Sequence, residues 1–394
     1  DLDKGLITRE AAQELIDCVW VKLNDLNKCR DEESAKGFAG YSLFQNLIVG
    51  GQNKYGEDVT NDLSFMCIEA SKQVFLPQPS LSIRVWNGSP HELLIKAADL
   101  TRTGIGLPAY YNDEVIIPAP YWVSYPQMVK LAEGEPVIVE AGIEQDFKIT
   151  PEQLEAAITP KTRALILCSP SNPTGSVYSK EELAGLARIL AQHERVIVIA
   201  DEIYEHINYI GKHESIAQFA EIKDRVVIVN GVSKAYAMTG WRIGFIAAPE
   251  WIVKGCNKLQ GQYTSGPCSV SQKAAEAAYT GSQQCVEDMR QAFERRKNLI
   301  VKLAKEIPGL EVNNPEGAFY LFPKCSSYFG KKDGERVINN STDFAMYLLE
   351  VGHVATVGGD AFGSPECFRM SYATSDENIV EAMKRIKETL ARLR

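Results

Sequence analysis

Hydrophobic and polar positions follow a helical period along the first part of the chain. Residues 9–30 place apolar side chains on one face of a predicted helix, at Ala12, Leu15, Ile16, Val19, Leu23 and Leu26. A second helix is predicted from Ser89, a serine N-cap followed at once by proline and, three residues on, by glutamate. Between these helices, residues 80–86 alternate like a strand. The pattern therefore predicts a mainly helical segment over residues 1–112.

The period changes at about residue 113, after which short apolar runs alternate with helical stretches such as residues 180–192. The predicted strands cover residues 114–117, 136–140, 164–168, 196–200, 226–229 and 243–247. Apolar runs that are separated by helices indicate a mostly parallel sheet with both faces covered. Residues 113–280 are therefore predicted to form a large α/β domain.

Beyond residue 280 the predicted helices are longer and the predicted strands are shorter. A charged helix is predicted at residues 285–306 and a terminal helix at 376–393, with strands between them at residues 318–322, 354–357 and 368–372. This order favours a small α+β domain over residues 281–394. The predicted fold class is thus α/β, with a large domain and a small C-terminal domain after the helical segment.

Composition and charge exclude several classes of function. The chain has 394 residues and a formal net charge of −9, whereas a protein that binds duplex DNA is expected to carry a basic surplus. No apolar run approaches the roughly 20 residues that a membrane-spanning helix needs, and the first residues lack the pattern of a signal peptide. Nine dispersed cysteines without a C-x-x-C pair, and five dispersed histidines, predict no metal site and reduced thiols in a cytoplasm.

The segment with the most chemistry is residues 233–244, which follow a predicted strand. Lys234 lies just beyond the strand, beside the hydroxyl of Ser233, and Arg242 follows eight residues later. This pattern suits an aldehyde cofactor that bears a phosphate, because the lysine amine can condense with the aldehyde while Ser233 and Arg242 hold the phosphate. Taken alone, an ordinary loop lysine in solvent explains the segment equally well.

A second motif, residues 201–204, lies at the end of another predicted strand. Ligands of open α/β sheets collect at the carboxyl ends of the strands. Asp201 can pair there with a protonated pyridine nitrogen, and Tyr204 can hydrogen-bond a ring hydroxyl. A capping carboxylate with a packed tyrosine is the alternative, and it is the better interpretation of this motif alone.

Three further motifs contain one candidate residue each. Residues 169–175 form a turn with two prolines and a glycine, which can fix the amide of Asn172 against a ligand. The aromatic cluster at residues 120–126 contains Trp122, whose indole can stack on a flat cofactor. Arg369 lies inside an apolar strand, where burial requires a carboxylate partner from the substrate or the protein. An ordinary loop and ordinary core aromatics explain the first two equally.

Together and in this order, the motifs resemble those of class I aminotransferases of the fold-type I pyridoxal-phosphate enzymes. The resemblance is closest to bacterial aspartate aminotransferases, covers about residues 113–394 and is most specific in the lysine segment. It implies pyridoxal 5′-phosphate as the cofactor and catalytic roles for three residues. Lys234 would bind the cofactor covalently, Asp201 would pair with its pyridine nitrogen, and Tyr204 would contact its ring hydroxyl.

The same resemblance implies the remaining ligands of the cofactor and the substrate. Trp122 would stack on the cofactor ring, and Ser233 and Arg242 would bind its phosphate. Asn172 would contact both the ring hydroxyl and the substrate, and Arg369 would bind the substrate α-carboxylate.

The first part of the chain does not follow the aminotransferase pattern, in which a Ser-Asn-Gly-x-Lys-like loop opens a helix onto the cofactor phosphate. Residues 1–118 instead resemble an internal piece of a glycyl radical enzyme of the pyruvate formate-lyase type, on the stretches 44–51 and 106–118. The piece has neither the catalytic cysteine motif nor the glycine loop of that family, so no functional residue follows from it. Residues 113–119 fit the sequence patterns of both families, and the chain resembles a recombinant that is joined at these residues.

The resulting hypothesis is an aminotransferase that moves an amino group between an amino acid, with aspartate as the expectation, and a 2-oxo acid, with 2-oxoglutarate as the expectation. Its partners would be these small molecules and a second copy of the chain, if the N-terminal segment permits a homodimer. The alternative is a chimeric chain with a partial cofactor site and little or no activity. The missing cysteine and glycine motifs argue against a glycyl radical lyase.

Overall fold

The computed structural model describes residues 2, 4–24, 46–53, 55–76, 79–86, 88–103, 109–111 and 113–394. The chain divides into two compact units, Asp1–Asp113 and Glu114–Arg394. The division falls inside the string 113–119 that both resembled families share. Residues 25–30 of the first predicted helix, and residues 44, 45 and 106–108 of the glycyl-radical-like stretches, lie outside the described residues.

In its described residues the N-terminal unit combines three helices with a small parallel sheet. Its strand order is β1-β2-β3. The elements are α1 (Arg9–Asn24), β1 (Asn46–Gly50), α2 (Asp62–Val74), β2 (Ser80–Arg84), α3 (His91–Arg102) and β3 (Ala109–Tyr111). The predicted mainly helical character is confirmed, although the sequence analysis found only the middle strand. β3 is too short to show a period of two, and β1 has three consecutive apolar residues instead of an alternation.

The start of α3 differs from the prediction in its cap. The N-cap is Pro90, which makes no side-chain capping bond. The Oγ of Ser89 instead accepts a hydrogen bond from the backbone N–H of Trp86 at 2.9 Å. The serine therefore closes the turn between β2 and α3, which is a common alternative use of the same residue type.

The C-terminal unit is built on a six-stranded sheet with the order β5-β4-β6-β7-β8-β9. Its strands are β4 (Glu114–Ala119), β5 (Glu135–Glu140), β6 (Thr162–Cys168), β7 (Ile197–Asp201), β8 (Val226–Gly231) and β9 (Gly244–Ala247). All neighbouring pairs are parallel except β8 with β9. The predicted mostly parallel sheet is thus confirmed.

The register of this sheet brings the ends of three strands together. Cys168 at the end of β6 pairs with Asp201 at the end of β7, and Asp201 pairs with Val229 in β8. Because the three strands are parallel, the segments that follow them leave the sheet at the same edge. That edge therefore collects the turn with Asn172, the carboxylate of Asp201 and the loop with Lys234.

Five helices accompany the strands of this sheet along residues 114–280, and two of them begin with a capping box. They are α4 (Tyr125–Leu131), α5 (Pro151–Ala157), α6 (Lys180–Ala191), α7 (Glu250–Tyr263) and α8 (Ser269–Thr280). Capping boxes begin α5 and α6, through Thr150 with Gln153 and through Ser179 with Glu182. α6 buries a leucine stripe in the same core as the strands, whereas none of the residues of α7 is buried.

The last part of the chain consists of α9 (Gln284–Lys305), two small antiparallel sheets and two further helices. The remaining elements are β10 (Tyr320–Leu321), β11 (Lys332–Asp333), β12 (Arg336–Val337), α10 (Ser341–Glu350), β13 (Val357–Gly358), β14 (Phe368–Ser371) and α11 (Asp376–Leu390). β14 lies between β10 and β13, and β11 pairs with β12. The strands predicted at 318–322 and 354–357 are shorter than expected. The α+β character is confirmed, while a domain boundary at residue 280 stays a prediction.

Gly175 joins the turn after β6 to the segment that leads into β10. It has φ +71°, and its carbonyl accepts hydrogen bonds from the N–H groups of Glu316 and Gly317 at 2.9 and 2.8 Å. A Cβ at this position would lie 2.6 Å from the Cβ of Pro315 and 2.8 Å from the carbonyl oxygen of Gly317. Only glycine fits, because both the backbone angle and the contact exclude a side chain.

We therefore expect Gly175→Ala to lower the free energy of unfolding by about 1–3 kcal/mol, through backbone strain and overpacking. Denaturant unfolding of the purified protein measures the loss. Gly255→Ala is the matched control, since a Cβ there meets nothing within 4 Å and Gly255 lies in the exposed helix α7. The control should be neutral or stabilising by up to about 1 kcal/mol. Equal stabilities for Gly175→Ala and its parent would contradict the assignment.

Candidate active site

The segments that follow β6, β7 and β8 surround a cavity of ≈ 420 Å³ in the C-terminal unit. This volume lies within the range of roughly 300–1,000 Å³ that is usual for small-molecule sites. The sequence-predicted residues that line it are Trp122, Asn172, Asp201, Tyr204, Ser233, Lys234 and Arg242. Arg369, the remaining one, joins the group through a contact with Asn172. All of the predicted site residues are thus brought together.

Lys234 lies half-buried in the loop after β8, with Nζ 5.7 Å from the centre of the Tyr204 ring. Burial lowers the pKa of its amine below the ordinary value, and the charges of Arg369 and Arg242 lower it further. The Asp201 carboxylate acts in the opposite direction. A lowered pKa increases the fraction of neutral amine, which is the nucleophilic form.

Asp201 is the last residue of β7, and both of its oxygens accept hydrogen bonds. Oδ2 accepts from the hydroxyl of Tyr125 at 2.5 Å, and Oδ1 accepts from the backbone N–H of Ile203 at 3.2 Å. Burial raises the pKa of the carboxyl, while these two hydrogen bonds and the charge of Lys234 oppose the rise. The carboxylate is therefore held in place while facing a cation.

The tyrosine hydroxyls on the other side of Asp201 remain protonated. Tyr204 is buried, and its hydroxyl lies 3.0 Å from that of Tyr320. Burial raises the pKa of both phenols, and for Tyr204 the neighbouring Tyr320 adds to the rise. Protonated phenols can donate a hydrogen bond to an oxygen of a bound ligand.

Arg369 is held by an amide and two aromatic rings. Its Nη1 donates to Oδ1 of Asn172 at 2.8 Å, and its Cζ lies 4.7 Å from the ring centres of both Tyr320 and Phe362. Within residues 113–394 no carboxylate pairs with this guanidinium. The carboxylate partner that the sequence led us to expect for Arg369, from the protein or from a substrate, is not supplied by these residues.

The remaining predicted residues differ in how firmly they are held. The ring of Trp122 is T-shaped against that of Tyr125, with centres 5.5 Å apart. Ser233 is half-buried, whereas Arg242 is exposed and donates from Nη1 to the carbonyl of Thr239 at 3.0 Å. Ser233 and Arg242 belong to the same loop as Lys234, so one loop brings an amine, a hydroxyl and a guanidinium to the cavity.

Sequence reasoning missed several side chains of this site. Tyr125 lies in the aromatic motif at residues 120–126, three residues after Trp122, so the i, i+3 spacing was a usable signal. Cys168 lines the cavity at the end of β6, and burial raises the pKa of its thiol to about 12. Tyr320 and Phe362 come from distant segments without a motif, and nothing local pointed to them.

The neighbour of Asp201 has a different role. Glu202 is buried, accepts a hydrogen bond from Ser215 Oγ at 2.6 Å and pairs with Nε2 of His213 at 3.0 Å. These contacts fix the segment that follows β7. Glu202, Glu205 and His213 also place one ligand atom each within 4.8 Å of one another, a grouping that the sequence analysis did not foresee.

Asp201→Asn is expected to lower the pKa of the Lys234 amine further, because the carboxylate charge is what raises that pKa against burial and two arginines. The neutral amine then exists at lower pH. In protein without cofactor, the pH profile for capture of a small aldehyde on Lys234 under cyanoborohydride should move to lower pH, as peptide mapping can measure. Glu182→Gln, which alters the remote pair with Lys148, should leave the profile unchanged. Coincident profiles for Asp201→Asn and parent would contradict the expectation.

The side chains around the cavity match the functional groups of pyridoxal 5′-phosphate and of an amino acid. An amine of lowered pKa suits an aldehyde, and a buried carboxylate suits a protonated ring nitrogen. A free guanidinium suits the carboxylate of an amino acid. A parallel sheet that presents this set at its carboxyl edge defines a pyridoxal-phosphate-dependent enzyme.

Comparisons with known proteins agree with this class. The family "Aminotransferase class I and II" matches residues 105–386, and the family "Pyruvate formate lyase-like" matches residues 1–127. The chain belongs to the class I and II aminotransferases, and its cofactor is pyridoxal phosphate. The two matches overlap around the division between the two units.

Curated relatives are about half identical to this chain over its larger part. A "Bifunctional aspartate aminotransferase and glutamate/aspartate-prephenate aminotransferase" of Petunia hybrida is 50% identical over 289 residues, which are 72% of this chain and 60% of the Petunia protein. The aspartate aminotransferase of Bacillus subtilis (strain 168) is 50% identical over 281 residues, 70% of each chain. The match thus spans about three fifths of the first relative and 70% of the second.

Solved structures match over the same part. The aspartate aminotransferase from Rhizobium meliloti aligns with a TM-score of 0.70 and 44% identity, over 73% of this chain and 72% of that chain. The aspartate aminotransferase from Thermus thermophilus with maleate aligns with a TM-score of 0.65 and 39% identity, over 71% of this chain and 70% of that chain.

Among the helices that the structure describes, none is long and apolar enough to cross a bilayer.

Proposed function

We propose that this chain transfers the amino group of aspartate to a 2-oxo acid, with 2-oxoglutarate as the expected acceptor. The observation that carries the proposal is the meeting of Lys234, Asp201 and Arg369 around one cavity. These three side chains supply an amine, a buried carboxylate and a guanidinium without a carboxylate partner, which are the groups that amino-acid chemistry on pyridoxal phosphate requires.

Each residue has one task in this proposal. Pyridoxal phosphate, when bound, supplies an aldehyde that holds the amino acid and a ring that accepts electrons from its α-carbon. Lys234 would hold the aldehyde through its amine, and the same Nζ, once free, would take the proton from the α-carbon of the substrate and hold it for transfer. Asp201 keeps a proton on the ring nitrogen through its negative charge.

The substrate is oriented by the groups around Arg369. The guanidinium, fixed by Asn172 and the rings of Tyr320 and Phe362, binds the α-carboxylate with its remaining N–H groups. Fixing the α-carboxylate holds the α-carbon within reach of Lys234, which replaces a chance encounter with a positioned one. Tyr204 donates from its protonated hydroxyl to the ring oxygen of the cofactor.

The choice of aspartate rests on the relatives. Several are named aspartate or aspartate/prephenate aminotransferases, and the Thermus structure contains maleate, a dicarboxylate. Aspartate and 2-oxoglutarate are dicarboxylates too.

We also propose, from the resemblance alone, that the chain works as a homodimer in the cytoplasm, which light scattering on the purified protein and cell fractionation would test.

The second candidate function is a chain with a partial cofactor site and little activity. One observation favours it: residues 1–127 match a different family, and the aminotransferase match reaches only 70% of the Bacillus subtilis relative. The match to the aminotransferase family begins at residue 105 of this chain.

One experiment separates the two candidates. Pyridoxal phosphate is added to the purified chain, its visible absorption band is recorded, and borohydride reduction followed by peptide mapping locates the modified lysine. Oxaloacetate release from aspartate and 2-oxoglutarate is then measured. A band, a modified Lys234 and oxaloacetate release support the aminotransferase. A modified Lys234 without any release supports the partial site, and modification spread over surface lysines would refute both.

A further inference from the structure

We propose that Tyr125 is a positioning residue that fixes the Asp201 carboxylate in one orientation toward the cofactor ring, an inference that rests on the proposed function. Neither the motif analysis nor the family resemblance gave this tyrosine a role. Its hydroxyl reaches Asp201 across 76 residues of sequence and donates to Oδ2 at 2.5 Å. It is the shortest hydrogen bond that the structure gives the carboxylate, whose other oxygen is bonded to a backbone N–H at 3.2 Å.

The two hydrogen bonds act on different oxygens and so define the orientation of the carboxylate. One donor on Oδ1 alone would leave rotation about the last side-chain bond open. A second donor on Oδ2 prevents this rotation. Each oxygen can still accept a further hydrogen bond from an N–H group. Tyr125 is buried and is the first residue of α4, so its own position is fixed by helix and core packing.

The charges around the pair keep the phenol as donor and the carboxylate as acceptor. The groups that face Asp201 are the amine of Lys234, the carboxylate of Glu202, the thiol of Cys168 and the phenols of Tyr125 and Tyr204. Burial raises the pKa of Tyr125 well above its ordinary value, and Cys168 and Asp201 add to the rise. A phenol that stays protonated next to an anion forms a charge-assisted hydrogen bond of the short kind observed here.

The same ring also supports Trp122. The two rings meet edge to face at 5.5 Å, and Trp122 lines the cavity. Tyr125 therefore contacts both the carboxylate expected under the ring nitrogen and the indole expected to stack on the ring. Tyr125→Phe keeps the ring against Trp122 and removes only the hydroxyl, so it isolates the effect on Asp201.

The test compares Tyr125→Phe with Tyr178→Phe. Tyr178 is a second buried tyrosine of the same unit whose hydroxyl also makes one hydrogen bond, accepting from the N–H of Ile149 at 2.9 Å, and it does not line the cavity. The first readout needs no cofactor: the titration of the Asp201 carboxyl in carbon-13 NMR. Loss of a donor to the anion should move its midpoint up by about one pH unit in Tyr125→Phe and leave it in place in Tyr178→Phe.

The second readout uses the loaded protein. In Tyr125→Phe the pH midpoint of the visible absorption band of bound pyridoxal phosphate should move to higher pH, because a carboxylate that is free to rotate pairs less well with the ring nitrogen and so holds less positive charge on the ring. Turnover should fall about 10- to 100-fold with KM changed by less than about threefold, as expected when a proton-transfer step slows but binding is kept. Tyr178→Phe should match its parent in the absorption midpoint, in turnover and in KM.

The outcomes separate this inference from the function on which it rests. A parent that binds no pyridoxal phosphate refutes the proposed function, while the NMR midpoint still tests the Tyr125–Asp201 bond. A parent that transaminates, with unchanged NMR and absorption midpoints in Tyr125→Phe, overturns the role of Tyr125. A fall in turnover without a shift of either midpoint would mean a merely structural role and also overturns it.

Discussion

Replacing Lys234 with alanine is expected to abolish amino transfer and to remove the borohydride-stable adduct between pyridoxal phosphate and the chain. The lysine has two tasks in the proposed function, since its amine holds the aldehyde and its freed Nζ moves the proton. The loss of the proton-transfer task alone costs about 10²- to 10⁴-fold in rate. The measurements are oxaloacetate release from aspartate and peptide mapping after borohydride reduction.

No other lysine among the described residues lines the cavity, so none can take over. Lys254→Ala is the matched control, because that lysine is exposed on α7 and pairs with Glu250 at 2.7 Å. It should keep the parent rate and the parent adduct. Turnover in Lys234→Ala within tenfold of the parent, or an adduct that persists at a single other lysine, would remove the centre of the proposed function.

Much of the site was predictable because its residues directly follow strands. Lys234, Asp201 and Asn172 each come a few residues after an apolar run or at its end, and parallel strands deliver such positions to one edge. The register confirms the reasoning, since Cys168, Asp201 and Val229 are aligned across β6, β7 and β8. A local sequence pattern therefore predicted that residues far apart in the sequence lie close together, because parallel strands end at the same edge of a sheet.

The contacts that tune these residues could not be predicted in this way. Tyr125 donates to Asp201 across 76 residues, and Arg369 donates to Asn172 across 197 residues. Neither pairing follows from a strand end or from a period, because each depends on how side chains of different elements pack. The same holds for the rings of Tyr320 and Phe362 on either side of Arg369, which come from separate segments of the C-terminal unit.

In the N-terminal unit the prediction of strands was limited by their length and residue pattern rather than by side-chain packing. β3 has only three residues, and β1 has three consecutive apolar residues in place of an alternating pattern. β2 was found because polar and apolar residues alternate along it from Ser80 to Arg84. α1 was found because its apolar period repeats over several turns, and α3 was found from its start signals, although its exact cap depended on a turn that the pattern does not encode. α2 was not predicted.

The second large effect is expected at the junction: replacing residues 1–112 with the segment that precedes the matched region in the Bacillus subtilis relative should raise cofactor affinity and turnover. Two surfaces of the C-terminal unit motivate this. β9 is the last strand of its sheet, with pairing described on one edge only, and α7 has no buried residue although Trp251 and Leu259 are each 61% exposed. Apolar side chains on such a helix are usually covered.

The expected gain in cofactor affinity follows from how the cofactor phosphate would be bound. In the proposed site the phosphate would be bound by Ser233 and the exposed Arg242, which line the cavity from one loop, whereas the resembled family adds a loop that opens a helix toward the phosphate. Charge-assisted hydrogen bonds contribute about 1.5–3 kcal/mol each, so two of them would tighten binding by roughly 10²-fold or more. Turnover at limiting cofactor should rise by a similar factor.

The measurement is a titration with pyridoxal phosphate, followed by oxaloacetate release at saturating and at limiting cofactor, on the parent and on the chain with the exchanged segment. Adding Lys234→Ala to the exchanged chain gives the control, because it should keep a tight phosphate site and still release no oxaloacetate. That result would locate the gain in cofactor binding rather than in a new catalytic group. If the parent already binds pyridoxal phosphate as tightly and turns over as fast as the exchanged chain, residues 1–112 do not limit the enzyme and the expectation is wrong.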